Sequence, residues 1–416
     1  MREQPTQHFV GLDIGTSAVR CVVGTTDPTD PNRPAIVGHG TSKNLGMRKG
    51  VVAHVEDVVE AVSSAVNEAQ RVSGFDIRTA TININGSHVR GLNSQGVIAI
   101  SSTNREITNE DRLRVEEAAT IVSLPPNREI IQVFAKNYRI DGQDNIKDPV
   151  GMHGVRLEVD THIVTAATPN INSIYSVLEH CDLRPSHRTV SSLAAAEAVL
   201  SRQQKEAGTL VIDIGAGTTN LVIIEDGEVQ YIGVIPVGGI HLTNDLAIGL
   251  RIDLDIAEKV KIEHSKLSGN HKSTKVKITH EKKHYEFDSS EVAMITEARM
   301  EELFELIEKE LKRIHKAGRL PGGIVLVGGV SKTPGIADFT KDKLQLAARL
   351  GSLQSIGGLA DTVNDQSYRT AVGLMLLDMF LMPSDGAHGK RLEGANDKVF
   401  GVVEGLWKNL KKRVVK

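Results

Sequence analysis

One short pattern occurs twice in this chain, and it limits the folds that the chain can adopt. The first copy, FVGLDIGTSAVRCVVG, surrounds Asp13, and the second, LVIDIGAGTTNLVIIEDGEV, surrounds Asp213, 200 positions later. In both copies an apolar strand ends in Asp-Ile-Gly, a turn of small residues follows, and a second apolar strand begins. Because solenoid repeats recur every roughly 20–50 residues, one repetition at this distance instead predicts a duplicated domain.

Each copy has the residue types of a phosphate-binding hairpin. Glycine has no Cβ, so a tight turn can bring backbone N–H groups and neighbouring hydroxyls close to phosphate oxygens. A single Asp-x-Gly is usually an ordinary β-turn, but the paired copies predict two facing hairpins that hold one nucleotide. The candidate phosphate-binding residues are Gly15, Thr16 and Ser17 in the first copy and Gly215, Gly217, Thr218, Thr219 and Asn220 in the second.

The two aspartates indicate a metal ion at the same place. A carboxylate repels a phosphate directly, so Asp13 and Asp213 are predicted to hold Mg²⁺ through water molecules while the metal contacts the phosphates. The string GAGTTN in the second copy nearly matches the Gly-x-Gly-x-x-Gly loop of dinucleotide-binding folds. That loop must open a helix, whereas the β-branched run LVII follows here, which argues against a Rossmann site.

A third candidate segment, GGIVLVGGVSKTPGIADF, follows in the last quarter of the chain. Ile324–Val327 has the composition of a buried strand, and Ser331 to Pro334 are predicted to start a helix. Between them, Gly328 and Gly329 leave room for a flat adenosine to lie on the backbone, with Ser331 as a further contact. A plain strand-to-helix turn would have the same pattern.

Together the three segments resemble the phosphate-1, phosphate-2 and adenosine loops of the actin, Hsp70 and sugar-kinase superfamily. Within it, the chain is similar to the FtsA family, the bacterial actin-like cell-division proteins that tether FtsZ filaments to the membrane. The similarity also rests on GMRKGVV (46–52), DPVGMHGVRLEV (148–159), AEKVKIEH (257–264) and the basic end of the chain. It implies an α/β, actin-like ATPase fold with two duplicated RNase H-like lobes, and ATP and Mg²⁺ as cofactors.

The resemblance also implies a division into subdomains, with an inserted subdomain 1C that serves self-association, hence polymerisation, and late division partners. Local patterns agree with this, since Thr108 is a plausible cap for a helix from about Asn109 to Val122, and strands are predicted near Ile130 to Ile140. The implied ranges are 1–86 and 164–194 for 1A, 87–163 for 1C, 195–229 and 301–383 for 2A, 230–300 for 2B, 384–397 for a flexible linker and 398–416 for an amphipathic helix.

Further nucleotide contacts follow from the resemblance alone. The segment AEKVK resembles the helix that contacts adenine and ribose in this superfamily, which nominates Glu258 and Lys261, although plain surface charges on a helix would look the same. Arg20 stands seven residues after Asp13, where actin has a phosphate-facing lysine. FtsA-like sequences often carry their lysine at the position of Ala18, so the assignment of Arg20 stays open.

Subdomain 2B is implied to bind the acidic and hydrophobic C-terminal peptide of FtsZ. A helical pattern from about Ser290 to His315 carries Arg299, the predicted peptide-binding residue, and a solvated surface charge is the alternative. The string HEKKH (280–284) matches a zinc-protease motif that requires a helix. Its flanks, KVKIT and HYEFD, alternate like strands and instead predict a hairpin tip at Glu281 to Lys283.

The end of the chain, VFGVVEGLWKNLKKRVVK, has the pattern of an amphipathic helix at an anionic membrane surface. From Asp397 onward six cationic side chains oppose two acidic ones, Asp397 and Glu404, and a linker rich in glycine precedes the segment. A terminal helix that packs on the protein itself is the alternative. The predicted membrane-binding residues are Phe400, Val403, Leu406, Trp407, Leu410, Lys408, Lys411, Lys412 and Arg413.

Composition removes several other classes of protein. Lys and Arg total 49 against 52 Asp and Glu, so the chain has no general basic character and no nucleic-acid partner is expected. Cys21 and Cys181 are too few for a disulfide framework or a thiolate metal site, which suits a reducing cytoplasm. Neither a signal peptide nor a run of about 18 apolar residues is present, so we expect a cytoplasmic protein at the inner face of the membrane, at the division septum.

The sequence favours an adaptor over an enzyme. A related filament protein, MreB, has an acidic residue before its helix to orient the attacking water, whereas SSLAAAEAVL offers Ser191. Slow ATP hydrolysis at best is therefore expected. A sugar or acetate kinase would need a substrate-binding base that is not found, and too few residues follow YRTAVGLMLLDMF for a chaperone's peptide domain. The remaining alternative is an actin-like pilus-assembly platform protein that binds an inner-membrane partner peptide.

Overall fold

The computed structural model describes residues 7–26, 33–267, 273–281 and 283–381. The predicted linker at 384–397 and the predicted amphipathic helix at 398–416, with all of its membrane-binding residues, lie outside these ranges. Lys282 at the predicted hairpin tip lies outside them as well. Within the described ranges, none of the helices combines the length and apolar character that a membrane-spanning helix needs.

Strands occur throughout the described chain. In chain order they are β1 (His8–Ile14), β2 (Ala18–Thr26), β3 (Pro34–Lys43), β4 (Met47–Arg48), β5 (Val51–Val52), β6 (Thr79–Ile84), β7 (Arg90–Ala99), β8 (Arg128–Ile140), β9 (Gln143–Ile146), β10 (Arg156–Ala167), β11 (Arg184–Val190), β12 (Thr209–Ile214), β13 (Thr219–Glu225), β14 (Glu228–Ile235), β15 (Lys275–His280), β16 (Lys283–Asp288), β17 (Ile324–Val327), β18 (Ala348–Leu350) and β19 (Gly357–Gly358).

The helices lie between these strands and cover the sheets. They are α1 (Val55–Ser73), α2 (Asn109–Ala119), α3 (Thr168–His180), α4 (Ser191–Val199), α5 (Arg202–Ala207), α6 (Gly239–Leu250), α7 (Leu254–His264), α8 (Ser289–Arg313), α9 (Ile336–Leu344) and α10 (Arg369–Leu381). The predicted cap of α2 is confirmed, since the Thr108 hydroxyl accepts from the Asp111 amide and the Asp111 carboxylate accepts from the Thr108 amide. The long predicted helix is confirmed as α8.

The two lobes repeat one topology, as the duplicated pattern predicts. In the first lobe the strand order is β11-β6-β1-β2-β3-β19, and in the second it is β14-β13-β12-β17-β18. Each contains an antiparallel meander (β1 to β3, and β12 to β14) whose first strand also pairs in parallel with a later strand, β6 or β17. The predicted α/β fold with two equivalent lobes is confirmed.

A separate four-stranded sheet is inserted into the first lobe, with the order β7-β10-β8-β9 and α2 packed on one face. This sheet also contacts the second lobe. The buried His162 ring accepts a hydrogen bond from the Ile232 amide at 3.0 Å, and Lys147 pairs with Glu206 at 3.3 Å. Burial lowers the pKa of His162 to about 4, so this imidazole is neutral near pH 7 and can act as an acceptor.

The second lobe carries its own insertion, formed by α6, α7, α8 and the β15–β16 hairpin. The hairpin predicted at the HEKKH string is confirmed, with Glu281 at its turn. Because His280 pairs with Lys283 and Thr279 pairs with His284, the two histidines project from opposite faces of the hairpin. They therefore cannot converge on one metal ion as they would on a helix.

Two helices, α4 and α10, join the lobes at the centre of the molecule. Every residue of α4 is buried, and its alanines allow α10 to approach its backbone closely. At the point of approach Gly373 faces the Ala194 carbonyl, and an added Cβ would lie only 1.7 Å from that oxygen. The contact thus depends on a residue without a side chain.

Candidate functional site

The two predicted hairpins have the same turn. Gly15 N donates to Ala18 O at 3.2 Å in the first lobe, and Gly215 N donates to Thr218 O at 2.9 Å in the second. An added Cβ on Gly15 would lie 2.8 Å from that carbonyl oxygen, which explains the glycine. The duplicated sequence pattern therefore corresponds to a duplicated backbone geometry.

The predicted metal-holding carboxylates lie buried at the ends of the first strand of each lobe. Asn83 Nδ2 donates to Asp13 Oδ1 at 2.7 Å, and Asn220 Nδ2 donates to Asp213 Oδ2 at 3.4 Å. Burial raises the pKa of Asp13 to about 7 and that of Asp213 to about 6. The positive charge of Arg20 opposes both shifts, and the negative charge of Asp213 raises the pKa of Asp13 further. The structure thus places two carboxylates from different lobes within electrostatic reach of each other.

The hairpin turns meet across the cleft between the lobes. An added Cβ on Gly217 would lie 2.8 Å from Thr16 Oγ1, and Asn85 Nδ2 donates to Thr218 Oγ1 at 3.2 Å. Thr16 and Thr218 are buried, whereas Ser17 is exposed. Thr219 is turned inward, because its hydroxyl donates to Val237 O at 2.8 Å.

The predicted adenosine loop lies beside the second hairpin. Gly328 has a φ of 88°, and an added Cβ there would lie 2.5 Å from Asp213 Oδ1, so this glycine allows the loop to touch the carboxylate. Gly329 faces open space, since an added Cβ would meet no atom within 4 Å. Ser331 is buried and donates to Gly328 O at 2.7 Å, so its hydroxyl stabilises the turn and points into the protein.

The helix predicted after this loop begins later than expected. Gly329–Lys332 form a 3₁₀ turn, and α9 begins only at Ile336. Gly335, with a φ of 86°, interrupts the helical backbone between them. The prediction of a helix start at Ser331 to Pro334 is therefore wrong by a few residues, and the strand Ile324–Val327 is confirmed.

Glu258 and Lys261 both lie next to this loop. Lys261 Nζ donates to Glu258 Oε2 at 2.6 Å, to Thr243 Oγ1 at 2.9 Å and to Gly239 O at 3.3 Å. Gly239 N in turn donates to Gly215 O at 2.9 Å, which connects this cluster to the second hairpin. The residues nominated from three separate segments therefore form one continuous surface.

Several residues of the site were not anticipated from sequence. Asn83, at the end of β6, accepts from Ile14 N and donates to both Asp13 and Ser191. Arg369 is buried and donates to Gly351 O at 3.1 Å, and the neighbouring Gln366 carbonyl accepts from Gly328 N at 3.2 Å. These polar residues lie at or near the ends of regular elements. For Asn83 the only available signal in the sequence is a polar residue near the end of an apolar strand.

Arg299 lies on α8, outside the cleft, and is paired within the protein. Its guanidinium binds both carboxylate oxygens of Asp245, one of them at 2.9 Å, and Glu302 at 2.7 Å. The hydrogen bonds to Asp245 and the negative charges of Asp245 and Glu302 raise the pKa of Arg299, so it is always charged. Close to this pair Gly249 contacts Ile295, and their sequence neighbours Ile248 and Met294 are exposed.

The geometry of the cleft suits a nucleoside triphosphate with Mg²⁺. Mg²⁺ prefers oxygen ligands and keeps several water molecules, which two facing carboxylates can orient. The glycine turns and the Thr16 and Thr218 hydroxyls border the same cleft, and the open backbone at Gly329 follows Gly328, which lies against Asp213. Residues with suitable chemistry for metal, phosphate and a flat base are therefore neighbours in the fold.

Comparisons with known proteins agree with this arrangement. Residues 86–165 match a family model described as the SHS2 domain inserted in FTSA, and residues 210–373 match one described as cell division protein FtsA. Cell division protein FtsA of Pseudomonas aeruginosa is 37% identical over 377 residues, which cover 90% of this chain and 89% of the relative. FtsA of Bacillus subtilis is 35% identical over 371 residues, covering 88% and 82%.

Solved structures show the same fold at lower identity. The PilM-PilN type IV pilus biogenesis complex matches with a TM-score of 0.65 and 18% identity, over 90% of this chain and 99% of that one. MreB5 of Spiroplasma citri bound to ADP matches with a TM-score of 0.54 and 16% identity, over 90% and 97%. At these identities the likeness demonstrates a shared actin-like fold.

Proposed function

This chain belongs to the FtsA family of cell-division proteins, and from that premise we propose that it is an ATP-binding, polymerising adaptor that tethers FtsZ filaments to the membrane. Its place is the cytoplasmic face of the cell membrane at the division septum. The pilus-assembly alternative is not favoured, since PilM is 18% identical whereas the FtsA relatives reach 37%.

The main support for the proposed ATP binding is the contact between the two hairpin turns. Thr16 of one lobe lies against Gly217 of the other, and the buried Asp13 and Asp213 face the same cleft. Mg²⁺ supplies the positive charge that neutralises the phosphates when the nucleotide is bound. Asp13 and Asp213 orient its water ligands, and the turn amides and hydroxyls bind the phosphate oxygens.

The nucleotide has a structural role in this proposal, so the protein is not an enzyme in the metabolic sense. Ser191 accepts a hydrogen bond from Asn83 at 3.0 Å and offers no carboxylate to activate a water molecule. A missing general base costs roughly 10²- to 10⁴-fold in rate. ATP then stays bound long enough to support filament assembly.

We expect steady-state ATP turnover by the purified full chain to remain far below roughly 10 s⁻¹, the median for metabolic enzymes. The measurement is phosphate release at saturating Mg-ATP, with and without anionic vesicles. Turnover at the rate of a metabolic enzyme under either condition would contradict a structural role for ATP.

The FtsZ-binding surface is proposed to lie on α6 and α8. The exposed Ile248 and Met294 offer apolar contact, and Arg299 offers a positive charge to an acidic and hydrophobic peptide. Since Arg299 already binds Asp245 and Glu302, an incoming carboxylate must share or displace these partners. Late division partners and self-association are assigned to the inserted sheet.

Membrane attachment is assigned to the segment around Trp407, on its sequence pattern. Each Lys or Arg near an anionic surface contributes about 1 kcal/mol, so one tail binds weakly. A filament carries many tails, and such multivalency raises attachment by roughly 10²- to 10⁴-fold. ATP-dependent polymerisation would therefore increase the time that the protein stays bound to the membrane.

Co-sedimentation with vesicles tests the tether. We expect FtsZ to sediment with anionic vesicles only when the full chain and Mg-ATP are present, with a blue shift of Trp407, which is the single tryptophan. Arg299→Glu is expected to remain on the vesicles and lose FtsZ, whereas Leu406→Glu is expected to lose both. FtsZ recruitment by Leu406→Glu, or by neutral vesicles equally well, would overturn the proposal.

A further inference from the structure

The short β4–β5 hairpin places its two-residue tip, Lys49 and Gly50, between the two phosphate loops. Gly50 N donates to Thr16 Oγ1 at 3.1 Å, which fixes the tip to the first lobe. An added Cβ on Gly217 would lie 3.0 Å from the Lys49 Cα atom, so the tip also packs against the second lobe. The tip is therefore in contact with both sides of the nucleotide cleft.

The backbone at this tip disfavours a lysine. Arg48 pairs with Val51, so Lys49 and Gly50 form a two-residue loop, and their φ angles are 49° and 75°. Two consecutive positive φ angles define a type I′ turn, for which Asn-Gly or Gly-Gly is preferred. A long side chain at Lys49 adds steric strain that asparagine or glycine would reduce. The turn geometry alone does not account for this residue.

The charge of Lys49 is also uncompensated within the part of the chain that the structure describes. Its side chain is exposed, and within the described ranges it has no ion-pair partner. The phosphate loops themselves carry no lysine, with Ala18 after the first turn and a neutral run from Ala216 to Asn220 in the second. Arg20 lies over the Tyr368 ring at 5.4 Å and interacts with both buried carboxylates.

We propose that Lys49 is a phosphate-binding residue whose ammonium group contacts the terminal phosphates of a nucleoside triphosphate held between the loops. This inference rests on the proposed ATP binding and deepens it. Because a Mg²⁺-bound triphosphate keeps a net negative charge, a cation at the junction of Thr16 and Gly217 offsets charge that the loops do not. ADP lacks the terminal phosphate that this contact requires, so Lys49 would favour ATP over ADP.

The test compares nucleotide affinities of full-length variants by isothermal titration calorimetry. Lys49→Asn removes the charge and suits a positive φ, so its nucleotide-free melting temperature is expected to equal or exceed that of the unmodified chain. Its affinity for Mg-ATP is expected to fall by roughly tenfold or more, as for a lost charge-assisted hydrogen bond, and its affinity for Mg-ADP by less than about threefold. Lys49→Arg is expected to retain most ATP affinity.

Arg48→Gln is the matched control, since it removes an exposed positive charge one residue earlier, outside the tip. Unchanged ATP affinity in Lys49→Asn would overturn the assignment while the unmodified chain still binds ATP. An equal loss of ATP affinity in Arg48→Gln would also overturn it, because the loss would then come from the summed positive charge near the cleft and not from a contact made by Lys49. If the unmodified chain bound neither nucleotide, the proposed function itself would fail, and this inference with it.

Discussion

We expect the Gly373→Ala variant to lose about 3 kcal/mol of its free energy of unfolding. The added Cβ would lie 1.7 Å from the Ala194 carbonyl oxygen, which belongs to the backbone of α4 and cannot rotate away. Both helices are buried between the lobes, so relief requires that α10 and α4 separate. Urea unfolding followed by far-UV circular dichroism measures the change.

Gly249→Ala provides a matched control for this substitution. It makes the same change inside a helix, α6, but its Cβ would meet the flexible end of the Ile295 side chain at 2.5 Å. Alanine is favoured over glycine in helices by about 1 kcal/mol, so Gly249→Ala is expected to be neutral or stabilising. Equal unfolding midpoints for the two variants would show that the close approach of α4 and α10 is not needed for stability.

The elements that could be predicted from the sequence are those whose signals are local. The duplicated hairpins, the capped helix after Thr108, the strand Ile324–Val327 and the hairpin around Glu281 all follow from turn residues, caps or alternation within a few positions. The late start of α9 was missed because a 3₁₀ turn and the positive φ of Gly335 break the helix. Such backbone details depend on contacts beyond the segment.

The candidate site was predictable in its loops and less so in its supporting contacts. Asn83, Asn85 and Gln366 reach the site through hydrogen bonds to residues distant in sequence, and no local pattern encodes such pairs. Lys49 belongs to the segment GMRKGVV, which carries the family resemblance, but Lys-Gly lacks the usual signature of a type I′ turn. The pairing of Arg299 with Asp245 is equally a property of the packed helices α6 and α8.

The buried carboxylates suggest that this site is maintained at a cost to stability. A carboxylate whose folded pKa is raised above its unfolded value destabilises the folded protein once the pH exceeds the unfolded value. For Asp13 the pKa rises from 3.8 to about 7, so near pH 8 the ionised group opposes folding by up to about 4 kcal/mol. Mg²⁺ bound through water would remove much of that cost, which links metal binding to stability.

The Asp13→Asn variant is therefore expected to be more stable than the unmodified chain without nucleotide and to bind Mg-ATP more weakly. Near pH 8 we expect the free energy of unfolding to rise by about 2 kcal/mol, because a neutral amide replaces a buried charge and Asn83 keeps a carbonyl acceptor. Loss of a group that orients metal-bound water costs roughly 10- to 100-fold in affinity. Thermal unfolding with and without Mg-ATP measures both effects.

Asp378→Asn is the control, because it makes the same change at another buried aspartate, which lies on α10 and binds strands of the first lobe. Its carboxylate accepts from Val10 N at 2.9 Å, Thr81 Oγ1 at 2.7 Å and Ser186 Oγ at 2.5 Å. A neutral amide there would weaken the charge-assisted bonds and could not accept from the amide and both hydroxyls at once. This variant is expected to lose about 2 kcal/mol while keeping its nucleotide affinity. If Asp13→Asn were destabilised in the same way, or bound Mg-ATP as tightly as the unmodified chain, Asp13 would be a structural residue, and the metal would have to be held by other groups.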